Sequence, residues 1–192
     1  AFPPGPRQLM VKNSLRKVSP VGVTIHVIGT GNGVTYNPTV LRVGPGQTFN
    51  TDAGATLQQA IEAASLLGRT ANTLVVAFPQ TMSAAHPKGE YFENIVLHTG
   101  VKVQGVGQGG FRVDGSYVPG SILNGERFDE GGATGQAWMA LVASLSYEVS
   151  DVVVPDSAAV TVLTPTGGTG TAKPAVDGFT ITGGVQQTIP TN

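Results

Sequence analysis

The chain has 192 residues, enough for one hydrophobic core and, by length alone, for a single domain. Charged residues make up 12% and the net charge is −1 with Lys and Arg scattered, which excludes an electrostatic footprint for nucleic acid or an anionic membrane. Cysteine is absent and no apolar run approaches the roughly 20 residues that span a bilayer, which excludes disulfides, thiolate metal sites and a membrane span. The sequence begins Ala1-Phe-Pro-Pro without an initiator Met, which indicates either a mature N-terminus left by processing or an artificially chosen start, and processing is favoured.

Residues 1–50 are predicted to form a strand-rich N-terminal extension. Alternating apolar residues favour strands at Arg7–Val11 and Val21–Ile28. The glycine cluster at Gly29–Gly33 predicts a turn, because its spacing is not that of a dinucleotide-binding loop and no helix follows it. His26, on one face of the second strand, is expected to be a packed or surface residue, not a ligand.

A helix over residues 57–67 is the clearest local prediction. Thr56 as N-cap and Gln59 three residues later form a capping box, and Gly68 supplies the C-terminal stop. The apolar residues that recur at helical spacing are Leu57, Ala60, Ile61, Ala64 and Leu67. Such a helix has to lie on an apolar surface, and the open end of a stack of strands provides one.

Short Val/Ile-rich runs bounded by Gly, Pro or Asn follow the helix. They are Leu74–Ala77, Asn94–Leu97, Val101–Val106 and Ser121–Leu123. Hairpin signals between them are weak and no helices intervene, so the pattern favours the coils of a parallel β-helix.

Residues 126–174 interrupt this pattern with a composition rich in Gly, Ala and Thr. They are predicted to form an irregular insertion that packs on the side of the strands through Trp138 and Met139. Residues 175–192 then begin a further coil, for which the core candidates are Val176, Phe179 and Ile181.

The helix and the first strands resemble the opening of right-handed parallel β-helix proteins of the pectin-lyase-like superfamily. The matching segments are TLQQAIEAAS, GEYFENIVLHTGVKVQGVG and VDGFTITGG, within residues 50–125 and 175–184. The resemblance implies a β-helix fold. Many members of that superfamily cleave or de-esterify acidic polysaccharides, and others are surface or appendage scaffolds.

No catalytic residue, metal ligand or cofactor is predicted, and the ligand-binding residues stay open. Glu93 belongs to the Tyr91-x-Glu93-Asn94 element, which is usually structural in the resembled family, and we expect it to hold a turn. Carboxylates suited to glycoside hydrolysis come in pairs, but Asp129/Glu130 and Asp151/Asp156 lie in the insertion and are expected to be solvated loop charges. The histidines His26, His86 and His98 lack metal-ligand spacing.

The predicted fold class is all-β: a right-handed parallel β-helix solenoid with one N-terminal capping α-helix and an irregular insertion. Its sections are 1–50, 51–125, 126–174 and 175–192. The leading functional hypothesis is a non-catalytic extracellular or cell-surface module of a larger protein, structural or carbohydrate-binding. The alternative is the N-terminal part of a polysaccharide lyase or carbohydrate esterase acting on acidic glycans. A third hypothesis is a carbohydrate-binding surface that uses Tyr91, Tyr117 and Trp138.

The C-terminal end of the predicted β-helix leads to a hypothesis about partners. The segment after Ile181 is short and polar, so we expect the last coil to lack a cap. Unpaired N–H and C=O groups there would recruit another polypeptide, either the remainder of the same protein or a second copy. Polysaccharide is a further possible partner, whereas nucleic acid and a membrane span are not expected.

Overall fold

The computed structural model of this protein describes residues 3–12, 14–15, 18–67, 72–127, 132–145, 158–162 and 173–183. Its helices are α1 (Leu57–Leu66) and α2 (Ala133–Ser144). Its strands, in chain order, are β1 (Gly5–Lys12), β2 (Val18–Val27), β3 (Gly29–Gly31), β4 (Val34–Tyr36), β5 (Thr39–Gly44), β6 (Phe49–Asn50), β7 (Thr73–Ala77), β8 (Ile95–Leu97), β9 (Lys102–Gly105), β10 (Gly110–Phe111), β11 (Tyr117–Val118), β12 (Ile122–Asn124), β13 (Val160–Val162), β14 (Ala175–Asp177) and β15 (Thr180–Thr182). Within these ranges, no helix is both long and apolar enough to cross a membrane.

The largest sheet consists of five parallel strands in the order β14–β9–β7–β5–β6. Its register aligns Leu41, Val75, Val103 and Val176 in one row across four strands. In-register residues of neighbouring strands share a face of the sheet. Val75 and Val103 are fully buried, while the two outer members of the row are partly buried against them. The hydrophobic core therefore lies on this face of the sheet.

The remaining strands form two-stranded sheets, of which some are parallel and others antiparallel. β8 pairs in parallel with β13, and β12 pairs in parallel with β15. The pairs β1–β2, β3–β4 and β10–β11 are antiparallel. In the β3–β4 hairpin, Asn32 and Gly33 both have positive φ, which is the conformation that two-residue hairpin turns require. The turn predicted at Gly29–Gly33 is thus the first strand and the tip of a hairpin.

Helix α1 is confirmed, together with its capping box. The Thr56 hydroxyl accepts from the Gln59 N–H, and the Gln59 side chain accepts from the Thr56 N–H. The apolar face buries Leu57, Ala60, Ile61 and Ala64 in the same core as the five-stranded sheet. α1 contacts β5, β6, β7 and β8, so it covers one side of the core. The predicted stop at Gly68 lies outside the described residues.

The predicted fold class, an all-β right-handed parallel β-helix with one capping helix, is wrong. The described residues form a mixed arrangement of six sheets, of which three are antiparallel pairs, together with two helices. The short runs after α1 do form strands, and several of them pair in parallel. Periodicity and glycine boundaries locate a strand but do not determine which strands share a sheet, and this is where the prediction fails.

The segment predicted as an irregular insertion contains regular structure. Residues 133–144 contain four Ala and one each of Leu, Met and Gln, all of high helix propensity, and they form α2. β13, from the same segment, extends β8. Trp138 is buried as predicted, but Met139 is 40% exposed and the prediction that it packs is wrong.

The core positions predicted near residue 180 are confirmed for two residues and wrong for the third. Val176 and Phe179 pack against the buried core, whereas Ile181 is 50% exposed. Its predicted place in the core is therefore wrong for this chain by itself.

The buried face of α1 generates a stability prediction. Ile61→Asp should lower the free energy of unfolding by several kcal/mol, on the order of 3 or more, because it buries an unpaired charge. Thr56→Ala should cost about 1 kcal/mol through loss of the N-cap. Leu66→Asp, on the same helix at a side chain that is 88% exposed, is the matched control and should cost far less than Ile61→Asp. Chemical denaturation measures all three, and equal shifts for Ile61→Asp and Leu66→Asp would contradict this packing of α1.

Candidate functional site

The Tyr91–Asn94 segment connects three parts of the molecule. Tyr91 is fully buried, and its hydroxyl donates to the Phe78 carbonyl and lies 3.3 Å from the Val43 carbonyl. Asn94 is also buried, and its amide donates to the Ala158 carbonyl over 3.2 Å. The side chains of this segment thus satisfy backbone groups of distant segments.

Glu93, in the same segment, holds the first turn of α1. One carboxylate oxygen accepts from the Leu57 N–H over 2.9 Å, and the other accepts from the Gln58 N–H over 3.0 Å. These N–H groups have no partner inside the helix, and the positive end of the helix dipole favours an anion there. The Gln58 side chain in turn accepts from the N–H of Val96 and donates to its carbonyl, which fixes α1 against the edge of β8.

The surroundings of Glu93 and Tyr91 shift the pKa of both side chains. Burial raises the pKa of the Glu93 carboxyl group above its usual range, and the two N–H donors oppose this rise because they stabilise the charged form. Burial also raises the pKa of the Tyr91 hydroxyl, and the nearby Glu93 charge adds to that effect. Glu93 therefore supports α1; the expectation that it holds a turn is refined to a helix N-terminus.

A cavity of about 450 Å³ lies between α1 and α2, beside Glu93. The α1 side carries polar side chains, and the α2 side is apolar. The residues that line it include Gln59, Glu62 and Glu93 on one side and Ala137, Trp138 and Leu141 on the other. Its volume falls within the range of roughly 300–1,000 Å³ that is usual for small-molecule sites. This cavity is the candidate binding site of the described chain.

A second polar cluster lies where β2 crosses the five-stranded sheet. The Thr24 hydroxyl donates to the Asp177 carboxylate on β14. The Nδ1 atom of His26 lies 2.6 Å from the Tyr36 hydroxyl, and its Nε2 atom lies 3.4 Å from Oε1 of Gln104 on β9. These contacts attach the antiparallel pair β1–β2, the N-terminal ribbon, to the face of the sheet opposite the core.

The hydrogen bonds of this cluster assign the His26 tautomer. The Gln104 amide nitrogen donates to the Gly105 carbonyl, which leaves its oxygen as an acceptor for Nε2–H of His26. Nδ1 then accepts from the Tyr36 hydroxyl. Burial, reinforced by the positive charge of Lys102, lowers the pKa of His26, and the Gln104 contact and the Asp177 charge oppose this only in part. Its neutral form is therefore favoured in the fold.

Among the remaining sequence candidates, those that lie within the described residues do not gather into a site. Asp129/Glu130 and Asp151/Asp156 lie outside the described residues. Nδ1 of His86 lies 2.8 Å from the Glu90 carbonyl, and His98 directly follows β8. Among the described residues, no group of three or more His, Cys, Asp or Glu could hold a metal ion.

The three aromatic residues of the hypothetical carbohydrate surface occupy different environments. Tyr91 is in the core, Tyr117 packs against Phe111 in the β10–β11 hairpin, and Trp138 lines the α1–α2 cavity. Of the three, Trp138 is the residue that lines the α1–α2 cavity.

Sequence reasoning missed both the cavity and the His26 cluster. The cavity needs α2, and the apolar run that contains Trp138 was the available signal for that helix. The His26 cluster joins residues as far apart as Thr24 and Asp177, and no local pattern reveals such a contact.

The role of Glu93 generates a second prediction. Glu93→Gln should lower the free energy of unfolding by about 2 kcal/mol, since a neutral amide cannot accept from both helix N–H groups and charge-assisted bonds are the stronger kind. Glu126→Gln, which changes an exposed carboxylate in the same way, should have little effect. Thermal and urea unfolding provide the comparison, and equal stability of the two variants would rule out this role.

A pH prediction follows from His26. Because its pKa in the fold lies below the ordinary 6.5, the unfolded chain takes up the proton first. The contribution of His26 to stability should be complete above pH 6.5 and should decline as the pH falls through the lowered value. His26→Gln, which keeps an amide donor and acceptor, should reduce this decline. Melting temperatures of both proteins between about pH 8 and pH 5 test it, and parallel curves would contradict it.

Comparisons of the chain with protein-family models, with curated proteins and with solved structures find no match. None of them identifies a pectin-lyase-like protein, so the resemblance of residues 50–125 stays an expectation from sequence.

Proposed function

We propose that this chain is a non-catalytic module of a larger extracellular, surface-attached or secreted protein, and that it joins another polypeptide by strand pairing at β13, β14 and β15. The partner is the remainder of the same protein or a second copy of the chain. The extracellular location is supported by the low content of charged residues, which is typical of β-rich extracellular proteins.

The observation that carries this proposal is the exposure of apolar side chains at the outer strands. Ile181 lies in register with Leu123, and Val162 lies in register with Leu97. The two leucines are almost completely buried, whereas Ile181 and Val162 are 50% and 53% exposed. Two apolar rows that start in the core thus end at half-exposed side chains. A further strand laid over them would remove that apolar surface from water.

Backbone groups at the same strands support the pairing. The N–H groups of Ala175 and Thr180 donate inward, to the carbonyls of Val101 and Ser121. Because successive residues of a strand direct their N–H groups to opposite sides, those of Val176 and Ile181 face away from the sheet. No described strand lies beyond β13, β14 or β15. These strands offer the pattern of donors and acceptors that recruits a further strand.

The competing hypotheses receive less support from the geometry. The alternative of a polysaccharide lyase or carbohydrate esterase depends on the sequence resemblance, and Glu93, the carboxylate of the Tyr91-x-Glu93-Asn94 element, is used to hold α1. The carbohydrate surface of Tyr91, Tyr117 and Trp138 would need three residues that lie in separate environments.

Replacement of Ile181 tests the strand-pairing proposal. We expect the Val176 and Ile181 amides to be protected from hydrogen exchange in the protein as purified from its source. Ile181→Lys should remove this protection, since pairing would bury the new charge, yet cost the single chain little stability because the side chain is half exposed. Val113→Lys, at a fully exposed apolar residue of the β10–β11 hairpin, is the matched control.

Sedimentation of the isolated chain distinguishes the two partners. Self-association that depends on concentration and is lost in Ile181→Lys would identify a second copy. A monomeric chain whose amides are protected only in the intact protein would identify the remainder. Rapid exchange of both amides in the intact protein would refute strand pairing.

A further inference from the structure

We propose that the cavity between α1 and α2 binds a small organic cation, an ammonium group carried on a compact apolar body. This binding site is separate from strand pairing, because its residues come from the helices and the Glu93 segment and not from β13, β14 or β15. Three features of the cavity support the proposal: its charge, its aromatic residue and its apolar wall.

The charges that line the cavity are all negative. Glu62 and Glu93 are its charged lining residues, and no Lys, Arg or His contributes to the described lining. The Glu93 carboxylate is compensated by the two N–H groups at the start of α1. Glu62, which is half-buried, makes no hydrogen bond or ion pair with a described residue. No described residue neutralises its charge, which would attract a cationic ligand and repel an anionic one.

The aromatic residue at the cavity is Trp138, the single tryptophan of the sequence. The electron-rich indole attracts cations more strongly than the other aromatic side chains do. Trp138 is 7% exposed, so most of the indole packs within the protein, and the part that lines the cavity is the part that can attract an ammonium group. A carboxylate and an indole in one cavity favour a cation over an uncharged ligand of the same shape.

The cavity wall formed by α2 determines the polarity of the remaining part of the ligand. Ala137 and Leu141 are one helical turn apart and line the cavity together. They offer no charged or hydrogen-bonding side chain, so the body of the ligand that faces them is apolar. The volume of about 450 Å³ is sufficient for a compact ammonium compound.

The single tryptophan supplies the measurement. Its fluorescence is titrated with choline, with the uncharged isostere 3,3-dimethyl-1-butanol and with the anion galacturonate, all at low ionic strength. We expect choline to bind at least about tenfold more tightly than the isostere, and galacturonate not to bind. Choline affinity should fall as salt is added, since salt screens the attraction to Glu62, while the affinity for the isostere stays constant.

Two carboxylate variants complete the test. Glu62→Gln should reduce the preference for choline over its isostere several-fold, leaving the smaller contribution of Trp138, and Glu126→Gln, outside the cavity, should leave it unchanged. Ile181→Lys should also bind choline normally, which separates this site from the strand-pairing proposal. The proposal is overturned if the two compounds bind equally, if none binds, or if the Glu62 and Glu126 variants behave alike. The salt dependence decides the matter if Glu62→Gln does not fold.

Discussion

The position of α1 depends on one carboxylate. Glu93 accepts from the first two N–H groups of the helix, while its neighbours Tyr91 and Asn94 bind carbonyl groups of other segments. A segment of four residues thereby joins a helix, the carboxyl ends of β5 and β7, and the approach to β13. The burial of these polar groups is tolerated because each one has a partner. The core beneath α1 and the cavity beside it both depend on this arrangement.

The parallel register imposes a second constraint. Each of β13, β14 and β15 repeats the residue-to-residue alignment of the strand beneath it, so apolar side chains form rows through the molecule. The last described strand of each row leaves an apolar side chain and an unpaired backbone edge uncovered. They must be covered by another element, as α1 does on its side of the core, or by another chain.

Local signals in the sequence determined what could be predicted. The capping box consists of Thr56 and Gln59, which are only three residues apart, so the start of α1 could be predicted from the sequence. α2 starts at Gly132 with no side-chain cap, and that start signal is missing from the sequence. The sheet arrangement and the cavity required contacts between residues far apart in the chain. The His26 cluster, which fixes the N-terminal ribbon to β9 and β14, depends on the same kind of contact.

The pairing of β14 with β9 also has a kinetic consequence. The segment that connects β9 to β14 comprises residues 106–174, whereas the segment that connects β7 to β9 comprises only residues 78–101. Closing the longer segment costs about 1 kcal/mol more in chain entropy, which favours late docking of β14. During that interval the edge of β9 is open to β14 of a neighbouring molecule as well as to its own. At high concentration, newly made chains would therefore associate by domain swapping of β14.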